Sequence, residues 1–391
     1  MTEREHGFSR RTRLIRPSGI RQLFDLSQSM GDVISLGIGE PDFDTPLHIR
    51  EAAKEALDAG YTRYTPNNGF PDLRDALAAK VARVNGLDYT PQEVLVSDGG
   101  CTGALLLALL TLVDPGDEVI LGDPGFVVYE AAPRIVGATP VAVPVWEMND
   151  FRLIPADVAR AVTSKTKLII LNSPANPTGG VQRREDLAGI AEVATQHDLF
   201  VVSDEVYEMM VYEGVRHQSI AAFDGMRDRT VTVNSFSKTY AMTGWRVGYA
   251  VGARSIIDQM VTLQQFTMVH APAVSQRAAL AALTGPQDSI ERMVAVFDDR
   301  RRFLVPRLNE IEGFRCSTPT GAFYVFPSVA ELGMTSEAFA QFLLQEGRVA
   351  VVPGSAFGVG GEGYLRLSYA QPLVKLEAAC NRIERAVAKL R

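Results

Sequence analysis

The chain has 391 residues, of which 46% are hydrophobic and 22% charged, and this composition is typical of a folded globular protein and excludes a disordered or fibrous chain. At about 150 residues per domain, this length predicts two or three domains, or one large domain with a smaller companion. The 39 Lys and Arg residues against 46 Asp and Glu residues give a net charge of −7, so we expect no nucleic-acid partner.

The first part of the chain precedes any regular alternation of strands and helices. Residues 1–16 carry five arginines with no apolar stretch behind them, which favours a mobile basic arm over a secretory signal. Residues 18–30 predict a short helix. After a loop rich in Gly and Pro, two further helices are expected at residues 48–59 and 71–85.

From residue 93 onward, short apolar runs alternate with helical segments. This order predicts an α/β fold, with a mostly parallel sheet covered by helices on both faces. From residue 284 the order changes to a long helix followed by strands with short connections, which indicates a smaller α+β domain. We therefore expect a large domain at 46–283 and a small domain at 284–391, to which part of residues 1–45 returns.

The cysteines and apolar runs bear on compartment and membrane. Cys101, Cys316 and Cys380 are an odd number without paired spacing, and the five histidines are far apart, so we expect no disulfide and no metal site. This pattern favours a reducing compartment, with cytoplasm as the default. The longest apolar run, residues 103–113, is far shorter than the roughly 20 residues of a membrane span, so no membrane segment is expected.

Two glycine-rich motifs are candidate phosphate sites. The GxGxxG spacing at Gly358, Gly360 and Gly363 leads into a strand-like segment rather than a helix, so it does not predict a dinucleotide site. At residues 99–103, by contrast, GGCTG joins a predicted strand to a helix, whose N-terminal amides suit a phosphate. A tight turn with no ligand is an equally good interpretation of this motif taken alone.

Polar residues also follow three other predicted strands, at residues 172–179, at Asp204 and Tyr207, and at 235–238. Because ligands bind beyond the carboxyl ends of parallel strands, we expect these segments to face one crevice. A carboxylate at a buried strand end requires a positive or hydrogen-bonding partner. A simple ion pair between Asp204 and Lys238 satisfies that requirement and stays open on spacing alone.

The chain has only seven lysines. Six lie on predicted charged helix faces or in a polar turn and are expected to be solvated: Lys54, Lys80, Lys165, Lys167, Lys375 and Lys389. Lys238 alone falls in the crevice, among a carboxylate, hydroxyls and a phosphate-like pocket. An amine in that setting can lose its proton and attack a carbonyl carbon.

Ten ordered motifs cover nearly the whole chain, among them SLGIGEPDFDTP, NSPANPTGG, VVSDEVY and NSFSKTYAMTGWRVGY. With these motifs the sequence resembles the fold-type I, class-I aminotransferases that depend on pyridoxal 5'-phosphate, in the bacterial and archaeal aspartate/aromatic subgroup. The resemblance implies a homodimer whose active sites are built from both chains.

The resemblance also implies a role for each matching residue. Lys238 would hold the cofactor covalently and later move a proton at the substrate, and Asp204 would pair with the pyridine nitrogen. Tyr207 and Asn176 would hydrogen-bond the phenolic oxygen, and Phe126 would lie over the ring.

The resemblance also implies which residues bind the cofactor's phosphate and the substrate's α-carboxylate. The residues implied at the phosphate are Gly100, Cys101, Thr102, Ser235, Arg246 and, from the neighbouring subunit, Tyr64. Arg366 would grip the α-carboxylate of the substrate, helped by Gly39 and Asn176. The alternative for Arg366, a surface arginine, fits poorly between two leucines of a predicted strand.

These residues predict ping-pong transamination between an L-amino acid and a 2-oxo acid such as 2-oxoglutarate. The first alternative is a β-lyase or an aminocyclopropane-carboxylate synthase on the same scaffold. The second is a regulator with an aminotransferase-like domain, which lacks support because no helix-turn-helix pattern precedes residue 46.

Substrate identity stays open between acidic and apolar amino acids. A second carboxylate would need a further cation, for which Arg13 or Arg16 of the arm is a candidate. Aromatic substrates would instead use Ile38, Phe126 and Tyr324 as a pocket wall.

Overall fold

The structure is a computed structural model that describes residues 7–15 and 30–390. The helix predicted at 18–30 lies outside the described residues except for its last residue, and so do residues 1–6 and 16 of the basic arm. Of the arm, a single helical turn at Arg10–Arg13 is described.

A seven-stranded sheet forms the centre of the molecule. Its strands are β2 (Val94–Asp98), β3 (Glu118–Asp123), β4 (Thr139–Pro144), β5 (Thr166–Asn172), β6 (Phe200–Asp204), β7 (Thr230–Ser235) and β8 (Val247–Gly252). Their spatial order is β2-β8-β7-β6-β5-β3-β4, and β8 alone runs antiparallel to its neighbours. The prediction of a mostly parallel sheet is confirmed, and its cause is visible in β6 and β7, which are buried along almost their whole length.

Helices cover the sheet. Between residues 30 and 285, all of which the structure describes, the α-helices are Leu47–Asp58, Pro71–Asn85, Cys101–Leu112, Val127–Val136, Pro155–Ala161, Arg184–Gln196, Phe236–Thr239, Arg254–Thr267 and Ala273–Thr284. The Pro71–Asn85 helix has the bounds expected from sequence, because it begins at a proline and ends before Gly86, which adopts a left-handed conformation. Within the described part of the chain, no helix is long and apolar enough to cross a membrane.

The C-terminal part packs three helices on short strands. The helices are Asp288–Asn309, Ser336–Phe342 and Leu373–Val387, and the strands are β9 (Tyr324–Val325), β10 (Val349–Ala350), β11 (Val352–Pro353) and β12 (Leu365–Ser368). The strands β11, β12 and β9 form an antiparallel sheet. The Ser336–Phe342 helix continues directly into a π-helical turn at Leu343–Gly347.

The segment after the arm joins this C-terminal part. Strand β1 (Ile34–Ser35) pairs in parallel with β10, and the amide of Ser368 donates to the carbonyl of Leu36. Leu36 also belongs to the hydrophobic core that contains Phe297 and Leu376. The domain division, with its boundaries at 46 and 284 and the return of part of residues 1–45, stays a prediction.

A buried polar cluster lies behind strands β6 and β7. Lys80, expected to be solvated, is only 7% exposed, and its ammonium pairs with Glu208 and donates to Asn85. The expectation was wrong because Lys80 lies on the buried face of its helix. It comes three residues after Leu77 and seven after Leu73, which are both buried. A carboxylate as buried as Glu208 requires such a partner.

The same cluster brings together three side chains of metal-ligating type, Glu205, Glu208 and His217, with candidate ligand atoms within 4.8 Å of one another. Their carboxylates already accept hydrogen bonds. Glu205 is bound by Ser219 (2.6 Å) and by His217 (2.9 Å), and Glu208 by Lys80 and Asn234. The positive charge that these acids require is therefore supplied by side chains of the protein.

The pair of Glu205 and His217 makes stability depend on pH. Burial lowers the pKa of His217, but the charge of Glu205 and its hydrogen bond outweigh burial and raise the pKa above 6.5. Because the folded-state pKa is higher than that of the unfolded chain, this stabilisation is complete below about pH 6.5 and is lost as pH rises through the folded-state value.

We therefore expect His217→Gln to lower the free energy of unfolding at pH 6 by about 1.5–3 kcal/mol, because a hydrogen bond between charged groups is lost. The loss should shrink as the pH rises above the folded-state pKa. Urea unfolding at several pH values measures it, with the exposed His197→Gln as control. Equal losses for His217→Gln at all pH values would contradict the prediction.

Candidate active site

A cavity of about 260 Å³ opens where β5, β6 and β7 end. Eleven of the thirteen residues expected at the site line it: Gly39, Cys101, Thr102, Phe126, Asn176, Asp204, Tyr207, Ser235, Lys238, Arg246 and Arg366. Gly100 and Tyr64 do not. Six residues that were given no role in the sequence analysis also line it: Leu105, Val128, Tyr129, Val206, Ser237 and Thr243.

Strand register explains why residues from distant parts of the sequence converge. Asn172 pairs with Asp204 at the carboxyl ends of β5 and β6, and the side chain of Asn172 accepts from the amide of Asn176 (3.0 Å). Strand β7 ends at Ser235, whose hydroxyl caps the short helix Phe236–Thr239 by accepting from the Ser237 amide. That helix carries Lys238 into the same cavity.

Lys238 donates from Nζ to the carbonyl oxygen of Gly39 at 2.6 Å. Burial lowers its pKa to about 8; Glu40 opposes this effect, and the positive charges of Arg366 and Arg246 reinforce it. The amine therefore loses its proton far more readily than a solvated lysine. The ion pair between Asp204 and Lys238 left open by the sequence is not formed, since each group has another hydrogen-bonding partner.

Asp204 is 5% exposed and is held by three donors. The hydroxyl of Tyr129 donates to Oδ2 at 2.8 Å, the amide of Val206 to Oδ1 at 3.2 Å, and the thiol of Cys101 also hydrogen-bonds to the carboxylate. Burial raises the pKa of Asp204, and the bonds from Tyr129 and Cys101 oppose that rise only in part. Tyr129 lies three residues after Phe126, and that helical spacing is the signal that could have identified it.

Arg366 lies buried on strand β12, with 2% of its surface exposed, so the alternative of a surface arginine is wrong. Its guanidinium donates to Asn176 Oδ1 (3.0 Å) and to the Gly37 carbonyl (2.5 Å), and it lies 4.6 Å from the ring centroid of Tyr324. The buried Nε has no hydrogen-bonding partner. A buried cation held only by neutral groups is suited to binding an anion.

A second anion site lies at the other end of the cavity, where the Cys101–Leu112 helix begins. Arg246 donates to the carbonyl of Gly99 at 2.5 Å, and a Cβ added at Gly100 would lie 3.3 Å from Arg246 Nη2. Gly100 thus lets the guanidinium approach the helix start closely. Backbone amides, the hydroxyls of Thr102 and Ser235 and this cation together suit a phosphate.

Tyr207 and Tyr324 join their hydroxyls at 2.9 Å inside the cavity. Burial raises the pKa of Tyr207 well above its usual range, so its hydroxyl stays protonated and can donate. Tyr64 lies elsewhere: its side chain is 89% exposed and contacts the ring of His270. The chain does not bring Tyr64 to its own cavity.

The residues present fit pyridoxal phosphate. An amine of lowered pKa, a buried carboxylate, a cradle for phosphate and an aromatic ring at Phe126 match the aldehyde, the ring nitrogen, the phosphate and the ring face of that cofactor. The unpartnered Nε of Arg366 leaves a donor for the carboxylate of a substrate.

Comparison with known proteins gives one family. A profile described as "Aminotransferase class I and II" matches residues 31–383. An aspartate aminotransferase of Pyrococcus abyssi is 48% identical, and an aromatic-amino-acid aminotransferase of Thermococcus litoralis 45% identical; each match covers 97% of this chain and 98% of the relative.

Solved structures agree with this assignment. The crystal structure of an aromatic aminotransferase from Pyrococcus horikoshii superimposes with a TM-score of 0.90 at 47% identity, over 94% of this chain and 100% of that chain. With a fold, a cavity and a sequence that all match, the chain belongs to the class I aminotransferases, enzymes that depend on pyridoxal phosphate.

Proposed function

We propose that this enzyme moves the amino group of an L-amino acid, aspartate or an aromatic one, to a 2-oxo acid such as 2-oxoglutarate in two half-reactions. The observation that carries the proposal is the presence of Lys238, Asp204 and Arg366 in one cavity of about 260 Å³. These three side chains supply a base, a partner for a cationic ring and a carboxylate site.

Each residue then has a defined task. Bound pyridoxal phosphate supplies an aldehyde for the amino group and an aromatic ring that accepts the electron pair from Cα. Arg366 binds the α-carboxylate of the substrate and thereby fixes Cα next to Lys238. The Nζ of Lys238, with its pKa of about 8, would take the proton from Cα and would deliver it to the aldehyde carbon of the cofactor, C4′.

The cavity wall bears on the choice of amino acid. Three cations line the described wall, Lys238, Arg246 and Arg366, and each already has a task. The expected apolar wall is present at Phe126 and Tyr324, with Leu105 beside them, and Ile38 does not line it. This wall supports aromatic substrates, as does the name of the Thermococcus litoralis relative.

Aspartate requires a further cation for its distal carboxylate. Arg13 is exposed on a turn that packs near the Val127–Val136 helix, and Arg16 lies outside the described residues. The name of the Pyrococcus abyssi relative, an aspartate aminotransferase, supports this substrate. A cation from the arm or from a second subunit would complete the site for it.

We further propose a homodimer in which Tyr64 reaches the phosphate of the neighbouring site. The support is an exposed apolar patch formed by Tyr64, Phe266 and Val269, which are 89%, 80% and 41% exposed. Asn67 and the carbonyl of Val269 share a hydrogen bond of 2.8 Å, so the two segments form one surface. Exposed apolar surface of this kind is typical of a subunit interface.

We also propose how the chain divides into domains and where in the cell the enzyme acts. The chain divides into a large unit at 46–283 and a small one at 284–391, joined by part of residues 1–45; the pairing of β1 with β10 supports the last point. We also place the enzyme in the cytoplasm, which the three free cysteines support.

The main test measures amino transfer directly. Purified enzyme with 2-oxoglutarate should convert aspartate or aromatic amino acids to their 2-oxo acids with formation of glutamate. Lys238→Ala should reduce the rate at least about 10⁴-fold, because the proton at Cα has no acceptor, while Lys54→Ala should leave it unchanged. Release of pyruvate and ammonia without glutamate would indicate a lyase instead and contradict the proposal.

A second prediction concerns Tyr129. Tyr129→Phe removes a donor to Asp204, so the carboxylate should hold a protonated ring nitrogen less well, and kcat/KM should fall about 10-fold or more. The visible absorbance of the bound cofactor should also change its pH dependence. Tyr89→Phe, which removes a hydroxyl that donates to the main-chain carbonyl of Arg227, is the control. An unchanged spectrum and rate in Tyr129→Phe would show that the bond is unimportant.

A third prediction tests the shared site. Tyr64→Ala and Lys238→Ala should each be nearly inactive alone. When the two are unfolded together and refolded, half of the dimers should be mixed, and one of their two sites would then be intact. About a quarter of the wild-type activity should return. If Tyr64 acted within its own chain, no site would be intact and no activity would return.

A further inference from the structure

A second cavity, of about 220 Å³, lies beside the active site. It is lined by Phe326 and by residues from four segments: 150–152, 178–184, 215–218 and 317–320. The loop after β5 contributes to both cavities, since Asn176 lines the active site and Thr178, Gly179 and Gly180 line the second cavity. None of the proposed catalytic or cofactor-binding residues lines the second cavity.

Arginine dominates the charge of this wall. Four arginines line it, Arg152, Arg183, Arg184 and Arg216, against a single acid, Asp150. This excess is local, because the whole chain carries a net charge of −7. Guanidinium groups gathered in a concave site attract and orient anions with paired oxygens.

Two of the arginines have carboxylate partners and two do not. Arg152 pairs with the buried Asp186, and Arg183 with Asp150 at 2.9 Å. Arg184 donates only to the side chain of Gln218, at 3.3 Å, and its guanidinium lies over the ring of Phe223. Arg216 is exposed and has no partner among the described residues.

Two buried polar atoms near this wall have no hydrogen-bonding partner, the Oε1 of Gln182 and the Nε of Arg152. The Nε of Arg152 lies 3.8 Å from Oδ2 of Asp150, too far for a hydrogen bond. Buried polar groups are nearly always satisfied, so the N–H of Arg152 is suited to donate to a ligand in this cavity, whereas the Oε1 of Gln182 can only accept.

We propose that this cavity is a second ligand site, which binds a small anion with paired oxygens, a carboxylate or a phosphate. Arg184 and Arg216 supply the charge that no carboxylate of the protein neutralises, while Arg152 supplies an N–H donor from the interior. The ligand would lie against Thr178 and Gly179, two residues beyond the partner of Arg366 in the active site.

The test is calorimetric titration of the enzyme loaded with pyridoxal phosphate, at constant ionic strength, with inorganic phosphate in one series and succinate in another. We expect saturable binding of one anion per chain. Arg184→Gln with Arg216→Gln should weaken it at least tenfold, because both unneutralised cations are lost. The matched control is Arg254→Gln with Arg292→Gln, two exposed arginines on other helices, which should bind as the wild type does.

Succinate can also enter the active site through Arg366, so the visible absorbance of the cofactor is recorded in parallel. Binding in the second cavity leaves that absorbance unchanged, and binding in the active site alters it. Saturable binding of phosphate but not of succinate would identify a phosphate ligand. Saturable binding of succinate without a change in the absorbance would identify a carboxylate ligand. The proposal fails if neither anion binds in this way, or if the Arg184 and Arg216 variant binds as tightly as wild type. Neither failure bears on amino transfer, which is assayed separately.

Discussion

Three ionisable groups in one cavity are withdrawn from water without an opposite charge bound directly to any of them. Asp204 is held by neutral donors, Arg366 by a carbonyl and an amide oxygen, and Lys238 by a carbonyl. Such groups are expensive to bury, and the protein stabilises them with hydrogen bonds rather than ion pairs. A site organised in this way leaves its charges available for the charges of a ligand.

The rest of the fold maintains this arrangement. The parallel sheet aligns Asn172 with Asp204, and the short helix after β7 carries Lys238 to the same edge. Tyr207 belongs both to this site and to the hydrophobic core of the C-terminal part, together with Phe323 and Leu365. The core that stabilises the smaller part of the chain therefore also orients a wall of the active site.

Sequence reasoning predicted the sheet well, because strands buried on both faces are continuous apolar runs and helix ends carry proline and glycine signals. It also identified most of the cavity wall, since ligand sites at the ends of parallel strands follow from chain order alone. Ordered motifs supplied residues from elsewhere, such as Gly39 and Arg366, which no strand pattern brings to that edge.

The errors share one physical cause. Lys80 was expected in solvent and Tyr129 was not considered, and both depend on which face of a helix is turned toward a buried carboxylate. Side-chain partners of that kind are set by tertiary packing, which residue type does not disclose. The same limit applies to Tyr64, whose contact with a neighbouring phosphate stays a proposal because this chain leaves its side chain exposed.

The close approach of Gly39 to Tyr324 links two distant positions of the sequence. Any side chain at position 39 would place its Cβ 2.5 Å from the hydroxyl of Tyr324, so a substitution at 39 requires the tyrosine to move or to be replaced. A larger residue at 39 requires a smaller one at 324, and that exchange would also remove the hydroxyl partner of Tyr207. Mutational libraries that aim to reshape this pocket should therefore vary residues 39, 207 and 324 jointly, because a single substitution at 39 clashes with the hydroxyl of Tyr324.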